Sequence, residues 1–122
     1  MKKTFQFSYT QHDSLDKAPE EIQKLMIKAQ EIREKAYAPY SKFLVGTAIL
    51  DSEGNVYLGN NQENAAYPSG LCAERVAIFH AGAINPNAIF TDLAVTVRSL
   101  NKKMDFPTSP CGACRQSLVE YE

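Results

Sequence analysis

FLVGTAILDSEGNVYLGN, residues 43–60, decides how the chain folds. FLVGTAILD, residues 43–51, is a mostly apolar run of strand length. Ser52–Asn55, with Gly54 inside, is a turn signal, and VYLGN at 56–60 returns as the second arm of an antiparallel hairpin. Upstream, a helical pattern begins at Pro19, where proline is tolerated in a first turn. Ile22, Leu25, Met26, Ala29, Ile32 and Ala36 recur at steps of three and four and form one apolar stripe. Pro39 is expected to end this helix, because Ala38 before it is pushed out of helical geometry. Downstream, NQENAAYPSG is a loop by composition. A helix is expected over Cys72–Ala81, with Gly82 placed to end it. A third strand is expected over Phe90–Arg98, with Leu93, Val95 and Val97 on one face. After the polar loop SLNKKMDFPTS, a last helix is expected over Cys111–Glu122. The order α-β-β-α-β-α predicts an α/β layered sheet with helices, and the strand–helix–strand step predicts a third strand parallel to a hairpin strand. Residues 1–18 are polar with scattered aromatics and read as a loose arm able to add a short strand.

Composition narrows the function. The chain has 122 residues, of which 44% are hydrophobic and 22% charged, an ordinary balance for one domain. Its formal net charge of −1 offers no basic field for nucleic acid or an anionic membrane. No apolar run reaches the ~20 residues of a membrane span. The start, MKKTFQFSYTQHD, has no apolar stretch behind its lysines and is not a secretory signal. Three cysteines are too few for a disulfide scaffold, so the expected compartment is the reducing cytoplasm.

Those three cysteines carry the chemistry. Cys111 and Cys114 form a C-x-x-C pair at a helix start, and Cys72 opens the preceding helix. A thioredoxin-like redox pair is one reading, but such pairs come early and beside a tryptophan, and this chain has none. A metal site is the other, since Cys at i and i+3 aims both sulfurs at one point. His12 lies in the arm. His80 is two turns past Cys72, about 12 Å along the helix, and suits a helix surface. Three protein ligands would leave a fourth position open, as catalytic zinc sites do. Glu74 follows Cys72 by two residues, about 200° around the helix, a place for a carboxylate beside a metal rather than on it.

A ligand–x–Glu element followed by P-C-x-x-C is the signature of the zinc nucleobase deaminases. AYAPYSKFLVG at 36–46, NQENAAY at 61–67, CAERVAI at 72–78 and SPCGACRQ at 109–116 resemble the free-nucleoside cytidine deaminases, three-cysteine type, over about residues 20 to 120. The resemblance implies a three-layer α/β fold with a mixed five-stranded sheet and flanking helices. It implies one Zn²⁺ per subunit on Cys72, Cys111 and Cys114, and Glu74 as the proton carrier. It implies hydrolytic deamination of cytidine and deoxycytidine in pyrimidine salvage by a homotetramer, without nucleic-acid or membrane partners. Phe43 would pack on the pyrimidine, Asn61 and Glu63 would hold a ribose hydroxyl, and the Ala73 N–H would face the base carbonyl. The Ser109 carbonyl would receive the leaving amine, and Tyr67 would stand near a neighbouring subunit's site. Three thiolates on one Zn²⁺ leave excess negative charge, which two helix N-termini and the side chains of Arg75 and Arg115 could offset. Asn60 stands where many relatives carry a cysteine. Family members continue further, with two more strands and a helix. The expectation is therefore a C-terminally truncated catalytic domain over 19–122 behind an arm over 1–18; only if the chain is complete would the third strand be an exposed edge. A deaminase of a modified cytosine nucleoside, of the blasticidin type, and a non-catalytic zinc-binding relative are the competing readings.

Overall fold

A computed structural model describes residues 1–122. Three helices and three strands follow one another as α1 (Glu20–Arg33), β1 (Phe43–Asp51), β2 (Val56–Asn60), α2 (Ala73–Ile84), β3 (Phe90–Ser99) and α3 (Gly112–Glu120). The sheet order is β2-β1-β3. β1 pairs antiparallel with both neighbours, with Thr47 opposite Gly59 on one side and Val95 on the other. β3 therefore runs in the same direction as β2, as the strand–helix–strand step predicts. β1 lies between them, so both hydrogen-bonded pairings are antiparallel. Where the resemblance implies a mixed five-stranded sheet, residues 43–99 supply three strands, and no parallel pair forms among them.

Alternation along β1 assigns the helices to opposite faces. On one face Ala48 and Ala94 pack with Leu25 and Ala29 of α1, joined by Met26, Leu50 and Val56. On the other, Ile49 packs with Ala77 and Ile78 of α2, joined by Phe90, Leu93 and Leu118 of α3. The result is the expected three-layer arrangement of helix, sheet and helices.

Two glycines set how closely the layers approach. A Cβ on Gly46 would lie 2.0 Å from the Ala29 carbonyl oxygen of α1. A Cβ on Gly59 would lie 2.5 Å from both the Ala73 carbonyl oxygen and the Ala77 nitrogen of α2. Gly54, at φ +89°, makes the hairpin turn in the left-handed region. The carboxylate of Asp51, 2% exposed, closes that turn. It accepts from the Glu53 and Asn55 N–H groups, from the Asn55 side chain and from the Tyr57 hydroxyl at 2.9 Å. Burial would raise its pKa, but these bonds outweigh burial and hold it below the ordinary value.

Several expectations change. α1 stops at Arg33, not at Ala38. Tyr37 is pulled into extended pairing instead, its N–H donating to the Asn61 carbonyl and its carbonyl accepting from the Glu63 N–H. The Asn60 side chain donates at 2.9 Å to the Ile32 carbonyl, which also accepts from the Lys35 N–H. Ile22, on the predicted stripe, is 45% exposed. α2 runs through Gly82 to Ile84. Gly82 is there for packing: a Cβ would meet the Tyr121 ring at 2.8 Å. NQENAAYPSG is more ordered than a plain loop, with a 3-10 turn at Tyr67–Ser69 and bridges from Gln62 to Tyr37 and Leu71. The arm adds no strand; its one regular piece is a 3-10 turn at Leu15–Lys17.

Gly46→Ala and Gly59→Ala should each lower stability by about 1–3 kcal/mol or more through overpacking. Gly112→Ala, where no atom lies within 4 Å, serves as a near-neutral control. Urea midpoints would measure all three. Asp51 supplies a pH test. A carboxyl with a lowered native pKa stabilises fully above the ordinary Asp value of about 4, and that contribution is lost as pH falls through the native value. The stability difference between the native chain and Asp51→Asn should therefore shrink in acid, read from urea midpoints across pH 2–7.

Candidate metal centre

Two helix starts meet at the end of the sheet where β1 begins and β2 ends. Cys72 is the residue before α2 and Cys111 the residue before α3, both with extended backbone. Cys114 lies one turn into α3 and is fully buried. The Cys111 and Cys114 sulfurs are 3.4 Å apart and those of Cys72 and Cys111 3.9 Å apart. All three lie within 4.8 Å of one another. Thiolates around a tetrahedral zinc, with Zn–S of about 2.3 Å, stand about 3.8 Å apart. The donor set therefore fits such an ion with its fourth position free. A two-cysteine redox pair would have no use for the third thiol brought from another helix.

The thiols differ. The Cys114 backbone N–H donates to the Cys111 sulfur at 3.4 Å and holds that thiol's pKa below its ordinary value. Burial pushes the Cys114 thiol well above its ordinary value, aided by its bond with Cys111 and the nearby Glu74 charge. Glu74 is buried in the first turn of α2, and its carboxylate accepts from the Cys114 thiol at 3.8 Å. Arg75 donates to the Cys72 sulfur at 3.5 Å, and this contact and that with Cys114 raise its pKa further. Its Nε is buried without a partner. Arg115 behaves differently from the sequence expectation. Its side chain is exposed and bonds no sulfur; only its backbone N–H takes part, closing the first turn onto the Cys111 carbonyl. His80 is exposed on the outer side of α2, and His12 is in the arm.

A cavity of about 440 Å³ opens beside the sulfurs, lined by Tyr40, Asn61, Glu63, Tyr67, Cys72 and Arg75 among others. That volume is in the range of small-molecule sites. Glu63 is held by Ser41, whose N–H and hydroxyl both reach the carboxylate, at 3.3 and 3.2 Å. Asn61 clamps the start of β1, accepting from the Val45 N–H and donating to the Phe43 carbonyl, each at 2.8 Å. Phe43 is half-buried on the strand face shared with Thr47 and Ile49, the face covered by α2. The Ala73 N–H, at the start of α2, has no backbone acceptor. Ser109 is exposed in the loop before α3, and its carbonyl accepts no backbone hydrogen bond. Tyr67 is 92% exposed at the cavity rim.

Sequence reading overlooked Ser41 and Tyr40. Their only signal was membership of the AYAPYSKFLVG block, because nothing local shows that residue 41 faces residue 63.

Comparison with known proteins converges on one family. The protein-family model described as the cytidine and deoxycytidylate deaminase zinc-binding region matches residues 19–122. A cytidine deaminase from Sporosarcina psychrophila is 44% identical over 101 residues, spanning 83% of this chain and 70% of that protein. One from Halalkalibacterium halodurans is 43% identical over 98 residues, spanning 80% and 70%. The crystal structure of cytidine deaminase from Burkholderia pseudomallei superimposes with a TM-score of 0.72 at 43% identity, covering 80% of this chain and 74% of that one. The family-model match, extending from residue 19 to residue 122, places the chain in the cytidine and deoxycytidylate deaminase family, and the three converging cysteines, which could hold a metal, lie inside the matched region.

Proposed function

We propose that this chain converts cytidine and deoxycytidine to uridine and deoxyuridine by hydrolysis, releasing ammonia. The observation that carries this reading is the convergence of three thiols from two helix starts with a buried carboxylate 3.8 Å from one of them. Cys72, Cys111 and Cys114 would hold a zinc ion, which would supply the Lewis acidity that makes a water nucleophilic near neutral pH. Glu74 handles the protons. It takes one from the attacking water and passes it to N3 of the cytosine, then takes the proton of the new C4 hydroxyl and gives it to the departing amine. C4 gains the oxygen and loses nitrogen, and water plus cytidine balances uridine plus ammonia. The Ala73 N–H is available to the base O2, as helix-start donors are, and the free Ser109 carbonyl suits the amine. Phe43 gives the pyrimidine an apolar wall. Glu63, pre-aligned by Ser41, accepts from a ribose hydroxyl. Asn61 has one N–H and one lone pair left for the same sugar, after bonding the β1 backbone. Arg75 offsets the negative charge of the sulfurs; Arg115 adds its positive charge only from the surface.

Residues 19–122 carry this chemistry and residues 1–18 form a separate arm. The assembly proposed is a homotetramer. Phe79 and Ile84, 41% and 60% exposed on α2, and the outstanding Tyr67 suit burial against further copies. A salvage role in the cytoplasm accords with three free thiols and with the absence of any helix long and apolar enough to cross a membrane.

Glu74→Gln should keep about one zinc per chain and lose roughly 10²–10⁴-fold in kcat, read by metal analysis and the loss of cytidine absorbance. Turnover at the native rate by that variant would remove Glu74 from its role. Glu63→Ala should act mainly on binding, raising KM for cytidine about tenfold or more while zinc content stays unchanged.

A further inference from the structure

Ser41 stands between the sugar side and the base side of the cavity and bonds to both. Its N–H lies 3.3 Å from each oxygen of the Glu63 carboxylate, and its hydroxyl donates to Oε1 at 3.2 Å. The same hydroxyl oxygen accepts from the Phe43 N–H at 3.1 Å. A serine hydroxyl has one donor and two lone pairs, so one small group can serve both partners at once. Glu63 is also held at its backbone, where its N–H donates to the Tyr37 carbonyl at 2.9 Å.

The backbone between Ser41 and Phe43 is shaped for this double contact. Lys42 has φ +56° and is the one residue other than glycine in the left-handed region. That conformation is uncommon for a residue with a Cβ, and it persists where surrounding bonds hold it. Here the Lys42 N–H donates to the Ala38 carbonyl at 3.1 Å, and the Lys42 carbonyl accepts from the Leu100 N–H at 2.9 Å. The chain doubles back at Lys42, which brings the Ser41 hydroxyl to the Phe43 N–H two residues on. Phe43 itself is fixed in the sheet, opposite Ser99 of β3.

We propose that Ser41 is a positioning residue whose hydroxyl joins Glu63 to the start of β1, so that the sugar and the base of a pyrimidine nucleoside are recognised at one fixed separation. This rests on Glu63 accepting from a sugar hydroxyl and Phe43 forming the base wall, as proposed above. Without the Ser41 hydroxyl, the carboxylate keeps only its long contacts with a backbone N–H and regains rotamer freedom. Binding must then order that side chain, which weakens the complex. Phe43 stays in the sheet, so the loss falls on recognition of the sugar.

The test uses the zinc-loaded full chain, the variants Ser41→Ala, Ser41→Thr and Glu63→Ala, and the double variant Ser41→Ala/Glu63→Ala. Ser41 is exposed, so its substitutions should fold, as zinc content and urea midpoints would verify. Dissociation constants are measured for uridine and for its 2′-, 3′- and 5′-deoxy forms. Ser41→Ala and Glu63→Ala should each weaken uridine about tenfold. The double variant should be little worse than Glu63→Ala, because the two residues act through one contact. Both losses should shrink together for whichever deoxy form lacks the hydroxyl that Glu63 accepts. Ser41→Thr, which keeps the hydroxyl, should restore binding. The Phe43 amide should exchange about tenfold faster in Ser41→Ala and regain protection in Ser41→Thr. Additive losses, or a Ser41→Ala loss that is absent or equal for every ligand, would overturn the proposal and leave the role of Glu63 intact. A Glu63→Ala loss equal for every ligand would instead remove Glu63 from the sugar, and the proposal with it.

Discussion

The site rests on how closely α2 lies against β2. Gly59 offers the helix no side chain, and the Ala73 carbonyl and the Ala77 nitrogen come within 2.5 Å of where a Cβ would be. Ala73 is the first residue of α2, so this contact positions the two residues that flank it. Cys72 is turned toward the start of α3, and Glu74 is turned inward and buried. Gly46 does the same for α1 on the opposite face. The β1–β2 hairpin is thus gripped from both faces, and the first residues of β1 hold Asn61 in the cavity wall. A displacement of α2 by the thickness of one methyl group would carry Cys72 away from Cys111, because packed interiors have no slack to absorb it.

Charge is managed by the same geometry. Three thiols and a carboxylate are gathered around one point, and a single arginine reaches the sulfurs. The helix starts provide the remainder. Cys72 and Cys111 sit where unpaired N–H groups and the positive ends of two helix dipoles converge. The Cys114 N–H bonded to the Cys111 sulfur is one visible instance, and it lowers that thiol's pKa without any charged side chain. An anion-binding end is thereby built from backbone, which lets Arg115 remain at the surface.

Around the cavity, side chains are held before any ligand arrives. Ser41 fixes the Glu63 carboxylate, and Asn61 spends two of its hydrogen-bonding groups on β1. Gln62 donates to Asn60, which in turn donates to the Ile32 carbonyl of α1. The NQEN segment is therefore tied to the first strand, the first helix and the chain near Tyr37 at once. Such preorganisation reduces what binding must spend on ordering loops. The arm contrasts with it: residues 1–13 make no hydrogen bond to the rest of the chain, and only the Asp16 and Ala18 carbonyls accept from Gln23 of α1.

Elements with strong local signals were legible in the chain itself. The hairpin, the apolar stripe of α1, the helix starts at Cys72 and Cys111 and the alternation in β3 all follow from periodicity and turn residues. The cysteine trio could be assembled from spacing and from the motif it completes. Residues whose role depends on distant partners could not. The end of α1 is set by Tyr37 pairing with residues 61–63, and Gly82 is explained by the Tyr121 ring; neither partner is near in sequence. Ser41 on Glu63 and Arg115 at the surface belong to the same class. Local patterns specify which elements form, because helix and strand periods are properties of short segments. Packing alone decides which side chains meet, because a contact between distant residues exists only once the layers have closed.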